Sequence, residues 1–152
     1  MTREYLSFDG VYHGRCERKT VAFTAVVPAV GVVGALTLFT VTGAVVVRLS
    51  CVCTESLVCV AGGTIEVGIA GTTTTFIAQA VSLDIDVGDI WHDATPDSAN
   101  ELWSVTAVTA ERILGNGQDI IATIGAQDLT DGTLVFNAYW TPLTADGLVV
   151  AA

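Results

Sequence analysis

Four cysteines, two histidines and a run of aspartates are the side chains in this sequence whose type and spacing could do chemistry. Cys51 and Cys53 stand two apart in a Val-rich stretch, which on a strand places both thiols on one face. Cys59 reads as belonging to the next strand, and Cys16 lies far upstream. Zinc is held by C-x₂₋₄-C knuckles with a second pair of ligands, and a C-x-C with no histidine nearby does not supply them. The cysteines therefore read as small buried hydrophobes. The polar, charged start of the chain shows no signal peptide, so unpaired thiols in a reducing compartment follow. His92 beside Asp93 is part of a triad, but no Ser or Cys nucleophile motif completes it. His13 and His92 have no spacing for a metal and read as structural or surface residues. Asp84, Asp86 and Asp89 lack the glycine and closing glutamate of a calcium loop. The glycine motifs GVVGAL, GGTIEVG and GNGQD sit between strands, without the helix, Lys or Ser/Thr that a phosphate loop needs. No catalytic, metal or cofactor site is predicted, so the chain is not read as an enzyme.

The elements around these residues are strands. Residues 36–80 are rich in Val, Ile, Thr and Phe, which pack well on a pleated surface. Turn signals at Gly43, 54–56, 62–63 and 70–73 cut this stretch into four or five antiparallel strands. Ile65, Val67 and Ile69 share one face. Residues 21–47 carry no charge, and that length exceeds the roughly 20 residues a bilayer-spanning helix needs. Pro28, Gly31, Gly34, Gly43 and the Val-dominated composition argue instead for two strands joined by a Gly-containing loop. In 81–89, Leu83, Ile85 and Val87 alternate with aspartates, which predicts a strand with an acidic outer face. A turn-rich polar loop follows around Pro96 and Asn100, and 102–114 reads as a strand pair or a short helix. Asn116-Gly117 predicts a type I′ hairpin turn, and 119–126 a strand. Asp131-Gly132 predicts a second such turn before a last strand over 133–141. There Leu134, Phe136, Ala138 and Trp140 share one face, and Val135, Asn137 and Tyr139 the other. The apolar tail after Pro142 is expected to add to a neighbour's surface.

At 152 residues the chain fits one domain. Half of it is hydrophobic and only 14% is charged, so a lone copy is expected to expose apolar patches that oligomerisation or docking would cover. The formal net charge is −10, and an acidic body is no footprint for nucleic acid. The basic residues gather early, at Arg3, Arg15, Arg18 and Lys19. Residues 1–20 thus read as an extended arm and 21–152 as a single domain. The arm's cations could dock on an acidic protein surface, with Tyr5, Phe8 and Tyr12 as anchors. The fold class is all-β, an antiparallel β-sandwich of jelly-roll or Ig-like type.

The order LFTVTGAVVVRL, GGTIEVGIAGTTTTFIAQ, GDIWHDATP and GQDIIATIGAQDLTDGTLVFNAYWTPLTADG resembles the small β-sandwich virion proteins of tailed bacteriophages. The resemblance covers residues 36–150 and rests on element order and turn residues. It implies a capsid decoration (cement) protein, a homotrimer bound to the major capsid protein on the virion surface, with no active site and no contact with nucleic acid or membrane. The arm before Lys19 has no counterpart in that pattern. Two other roles stand beside this one: a head–tail completion, tail or fibre-base component, and a carbohydrate-binding sandwich using exposed Trp91, Trp103 or Trp140. The parity of Trp140 places it among core residues, which leans away from sugar.

Overall fold

The computed structural model describes residues 15–96 and 111–152. These form ten strands: β1 (Arg15–Ala22), β2 (Gly34–Thr42), β3 (Val45–Cys59), β4 (Thr64–Ile69), β5 (Thr72–Val81), β6 (Ile90–Trp91), β7 (Arg112–Leu114), β8 (Ile120–Gly125), β9 (Leu129–Pro142) and β10 (Leu148–Ala151). They make two five-stranded antiparallel sheets, so the predicted all-β sandwich is what forms. In one sheet β1, β9 and β3 lie in that order, and β6 and β7 both pair with β3. The other runs β10-β2-β8-β4-β5.

Period-two alternation decides which faces meet. On β3, Val45, Val47, Leu49, Cys51 and Cys53 are buried, while Val46, Arg48, Ser50 and Val52 between them are half-buried on the other face. On β9 the predicted face of Leu134, Phe136, Ala138 and Trp140 is the core face. Phe39, Val41, Ile65, Val67, Ile120, Ala122 and Ile124 meet them from the other sheet. Each fully buried Val, Leu, Ile or Phe among them contributes about 1.5–3 kcal/mol relative to exposure. The pairing of β3 with β9, from Val45↔Pro142 to Cys59↔Leu129, is the spine of the first sheet.

Several boundaries differ from the sequence reading. Residues 15–20, read as the end of the arm, belong to β1, which pairs with β9 from Arg15↔Trp140 to Ala22↔Thr133. Its charged side chains hid the strand. The turn expected at 54–56 is a set of register shifts within a continuous β3. Asp131-Gly132 likewise lies inside β9, where Gly132 has φ +105°. A Cβ there would lie 2.7 Å from the Ser56 carbonyl oxygen and 2.8 Å from Leu57 Cα, so glycine admits the close approach of β3 rather than a reversal. At Asn116-Gly117 only Gly117 has positive φ, +76°, and the Gln118 N–H donates to the Gly115 carbonyl at 3.1 Å. That is a type II turn, since type I′ needs positive φ at both central residues. It carries the chain from β7 in one sheet to β8 in the other.

The strand expected over 81–89 is instead a 3₁₀ turn, Ser82–Asp84, and a loop. The Ser82 N–H and hydroxyl both donate to the Gly63 carbonyl, at 2.9 and 3.0 Å, which turns the chain over the sheet edge. Ile85 is buried while Leu83 and Val87 are exposed. The tail beyond Pro142 pairs as β10 with the chain's own β2. Among the described residues no helix is long and apolar enough to cross a membrane.

Cys51 and Cys53 share the core face as predicted, but Cys59 is on the same strand. Its thiol lies 3.3 Å from the Ser82 hydroxyl. All four thiols are free, and Cys16 alone is exposed. Burial pushes the Cys51 thiol well above its ordinary range, the Cys53 thiolate neighbour adding to the rise. Burial also raises Cys53, partly offset by hydrogen bonding to the Glu55 backbone. The thiolate is the reactive form, so a maleimide should label one thiol per native chain, Cys16, and all four once guanidinium unfolds it. Fast labelling of a second thiol in the native state would contradict the placement of β3.

Candidate assembly surfaces

Residues 23–33, between β1 and β2, form a loop whose backbone is tied down and whose Val26, Val27, Val32 and Val33 side chains face outward, while Phe23 is buried in the core. The Phe23 N–H donates to the Gly132 carbonyl at 2.8 Å, and the Leu129 N–H to the Gly31 carbonyl at 2.8 Å. Thr24 and Val30 exchange two backbone bonds of 2.8 and 3.0 Å. The Val33 N–H donates to Asp128 Oδ1 at 2.7 Å. The Val27–Pro28 peptide is cis. With the backbone satisfied, the valines are left in water: Val26 is 75% exposed, Val27 88%, and Val32 and Val33 about half. The end of β3 adjoins them, since the Thr130 hydroxyl donates to the Val58 carbonyl at 3.3 Å while the Thr130 carbonyl accepts from Ala25. Val58 and Val60 (84% exposed) continue the apolar rim.

Six valines on one end of the sandwich give a gross gain on burial of up to about 9 kcal/mol at the lower end of the per-residue range. Association costs about 4–15 kcal/mol in lost freedom. A single rim would hold its partner weakly, and several rims on one oligomer would hold it well.

The residues expected to bind a partner are distributed differently. Arg3, Tyr5, Phe8 and Tyr12 lie outside the described residues. The Arg15 guanidinium lies 5.0 Å from the centre of the Trp140 ring. Arg18 Nε donates to Asn137 Oδ1 at 3.0 Å, and Lys19 Nζ donates to the Ala152 carbonyl. These cations are engaged on their own fold. Arg48 likewise stands over Tyr139 at 5.5 Å, and Arg112 Nε donates to the Thr75 carbonyl at 3.1 Å. The structure thus brings no cluster of free cations together among the described residues, and offers an apolar rim instead. The signal in the sequence was the same uncharged run, 21–47. Its valines around Pro28 and Gly31 are apolar residues in a loop, where the core does not need them.

The remaining candidates resolve as fold. His92 is buried, with Nδ1 3.8 Å from Asp93 Oδ2. Asp93 Oδ1 accepts from the backbone and hydroxyl of Thr95 at 2.8 and 3.0 Å, closing a turn. Asp89 Oδ2 accepts the Asp86 N–H at 2.9 Å. Among the described residues no group of three His, Cys, Asp or Glu side chains is placed to hold a metal ion. Trp91 and Trp140 are buried, so neither is a platform for a sugar; Trp103 lies outside the described residues.

No family model matches the sequence, and no curated protein does. Among solved structures, the chain is similar to a chain of the acidic stable capsid structure of Helicobacter pylori bacteriophage KHP30. The two share 14% sequence identity with a TM-score of 0.53, over 99% of this chain and 98% of that one. At that identity the likeness speaks to the fold, which the two chains share nearly end to end.

Proposed function

We propose that this chain is a structural virion protein that binds the outside of a bacteriophage capsid and cements neighbouring major capsid protein subunits. The observation that carries the reading is the end-to-end likeness to a chain of a phage capsid, with almost nothing unmatched on either side. The outward valine rim supports it, because a solitary soluble domain has little use for six exposed valines at one end. The working form in this reading is a homotrimer made in the host cytoplasm and located on the capsid surface. It has no cofactor and does no chemistry. Cementing then rests on buried apolar area summed over the arms of one oligomer and over many copies.

The test uses purified chain and capsid particles lacking it. Light scattering after size exclusion should give a mass near three times 15.8 kDa. Added in excess, the chain should co-sediment with particles to a copy number comparable to that of the major capsid protein. Saturation at a few copies per particle would place it at the portal or tail, and no co-sedimentation would overturn the reading.

A further inference from the structure

Strand β10 is short. It covers the edge of β2 from Thr42 to Phe39, and the Ala152 N–H reaches the Leu38 carbonyl at 3.0 Å. Over residues 34–37, β2 pairs with β8 on one side, and among the described residues no strand pairs with its other edge. Across from this edge runs β1, which among the described strands pairs with β9 alone. Between the two edges lies a groove of about 290 Å³, walled by residues 19–22 of β1, by Leu36 of β2 and by Val30. Lys19 closes the end nearest β10, holding the Ala152 carbonyl. An apolar trough between two edges that no other described strand covers, on the line that β10 begins, has the shape of a strand-addition site. An extended chain laid there would bond to that edge of β2 and cover the half-buried Leu36.

The sequence contains a segment suited to it. Fourteen residues precede Arg15, and within them Tyr5-Leu6-Ser7-Phe8 has strand composition. Arg15 opens β1 opposite Trp140, at the far end of that strand from the groove. The chain thus enters β1 at the end of the strand remote from its own groove. Fully extended, 14 residues reach about 46 Å, enough to meet an adjacent copy. We infer that residues 1–14 of one copy add as a strand to β2 of its neighbour in this groove. The exchange is head-to-tail, and such contacts close into a ring when the rotation between copies permits. The inference stands on sheet edges and chain direction, independently of the capsid reading.

The test places the photoreactive residue p-benzoylphenylalanine at Thr37, an exposed position on the open stretch of β2, in the full chain. Normal and heavy-nitrogen copies are mixed in urea, refolded together, irradiated and digested. Mass spectrometry should find Thr37 joined to peptides from residues 1–14, with mixed-isotope and same-isotope pairs in equal measure. The same probe at Thr40, which β10 already covers opposite Val150, should capture the chain's own β10 and only same-isotope pairs. Same-isotope capture alone at Thr37, capture of any other segment, or no capture while Thr40 reports normally would overturn the exchange. Failure of the chain to bind capsids would leave this result untouched.

Discussion

Aspartate at both Val26 and Val27 is expected to weaken binding to capsid particles by about 100-fold or more, with no change in melting temperature. Both side chains stand in water on a loop whose backbone is fixed by its own hydrogen bonds. The folded chain thus loses no packing when they change. In a complex, each buried valine contributes at least about 1.5 kcal/mol, and tenfold in affinity corresponds to about 1.4 kcal/mol. Losing two gives roughly two orders of magnitude before the cost of desolvating two carboxylates is counted. Multivalency on an oligomer amplifies the loss. Ile113→Asp is the control: that side chain is equally exposed but pairs beside Val46, at the opposite end of β3. Co-sedimentation should fall for the double variant and hold for the control. Unchanged binding of the double variant would remove the rim from the interface.

The largest effect on stability is expected at Trp91. Its side chain is fully buried, its strand β6 pairs with β3 at Cys51, and its ring meets Phe136 edge-on at 6.4 Å and 67°. Trp→Ala at such a site costs about 3–5 kcal/mol through lost transfer energy and the cavity left behind. A domain of this size has about 5–15 kcal/mol in total. At about 2–4 °C per kcal/mol, the melting temperature should fall by about 6–20 °C. Trp91→Phe should cost less, because the indole Nε1 is buried with no hydrogen-bond partner among the described residues, and phenylalanine removes that orphan donor along with the volume. Urea titrations of the two variants separate the cases. Equal losses would mean that the indole N–H matters more than the cavity.

Strand parity was legible where one face is fully buried. The alternation over 133–141 put Leu134, Phe136, Ala138 and Trp140 on the correct face, because a one-residue slip there would bury polar side chains. The same logic misled over 81–89. Leu83, Ile85 and Val87 alternate, but Ser82 is anchored to Gly63 and only Ile85 turns inward. Turn signals failed in a related way. Gly132 and the residues around Glu55 mark a place where two long strands approach and slip register, and a glycine needed for close approach looks the same in sequence as one needed for a reversal. β1 was hidden because its stability comes from a partner strand at the other end of the chain, which no local window contains. Of the candidate surfaces, composition announced an apolar excess but not its location. That location depends on loop backbone bonds to Gly132, Thr130 and Asp128, all distant in sequence.

The order of strand pairing decides what the nascent chain exposes. β4 with β5 is the one pairing between successive strands among those described. β2 waits for β8, β3 for β9, and Arg15 for Trp140. At about 5–20 residues per second of synthesis, β1 exists for on the order of 10 s before its partner is made. For most of that interval β2 lacks β8 and the Val-rich β3 lacks β9, and a high contact order slows the closing step further. A cell making this protein in quantity therefore meets its aggregation hazard on the ribosome, before any finished copy exists to assemble.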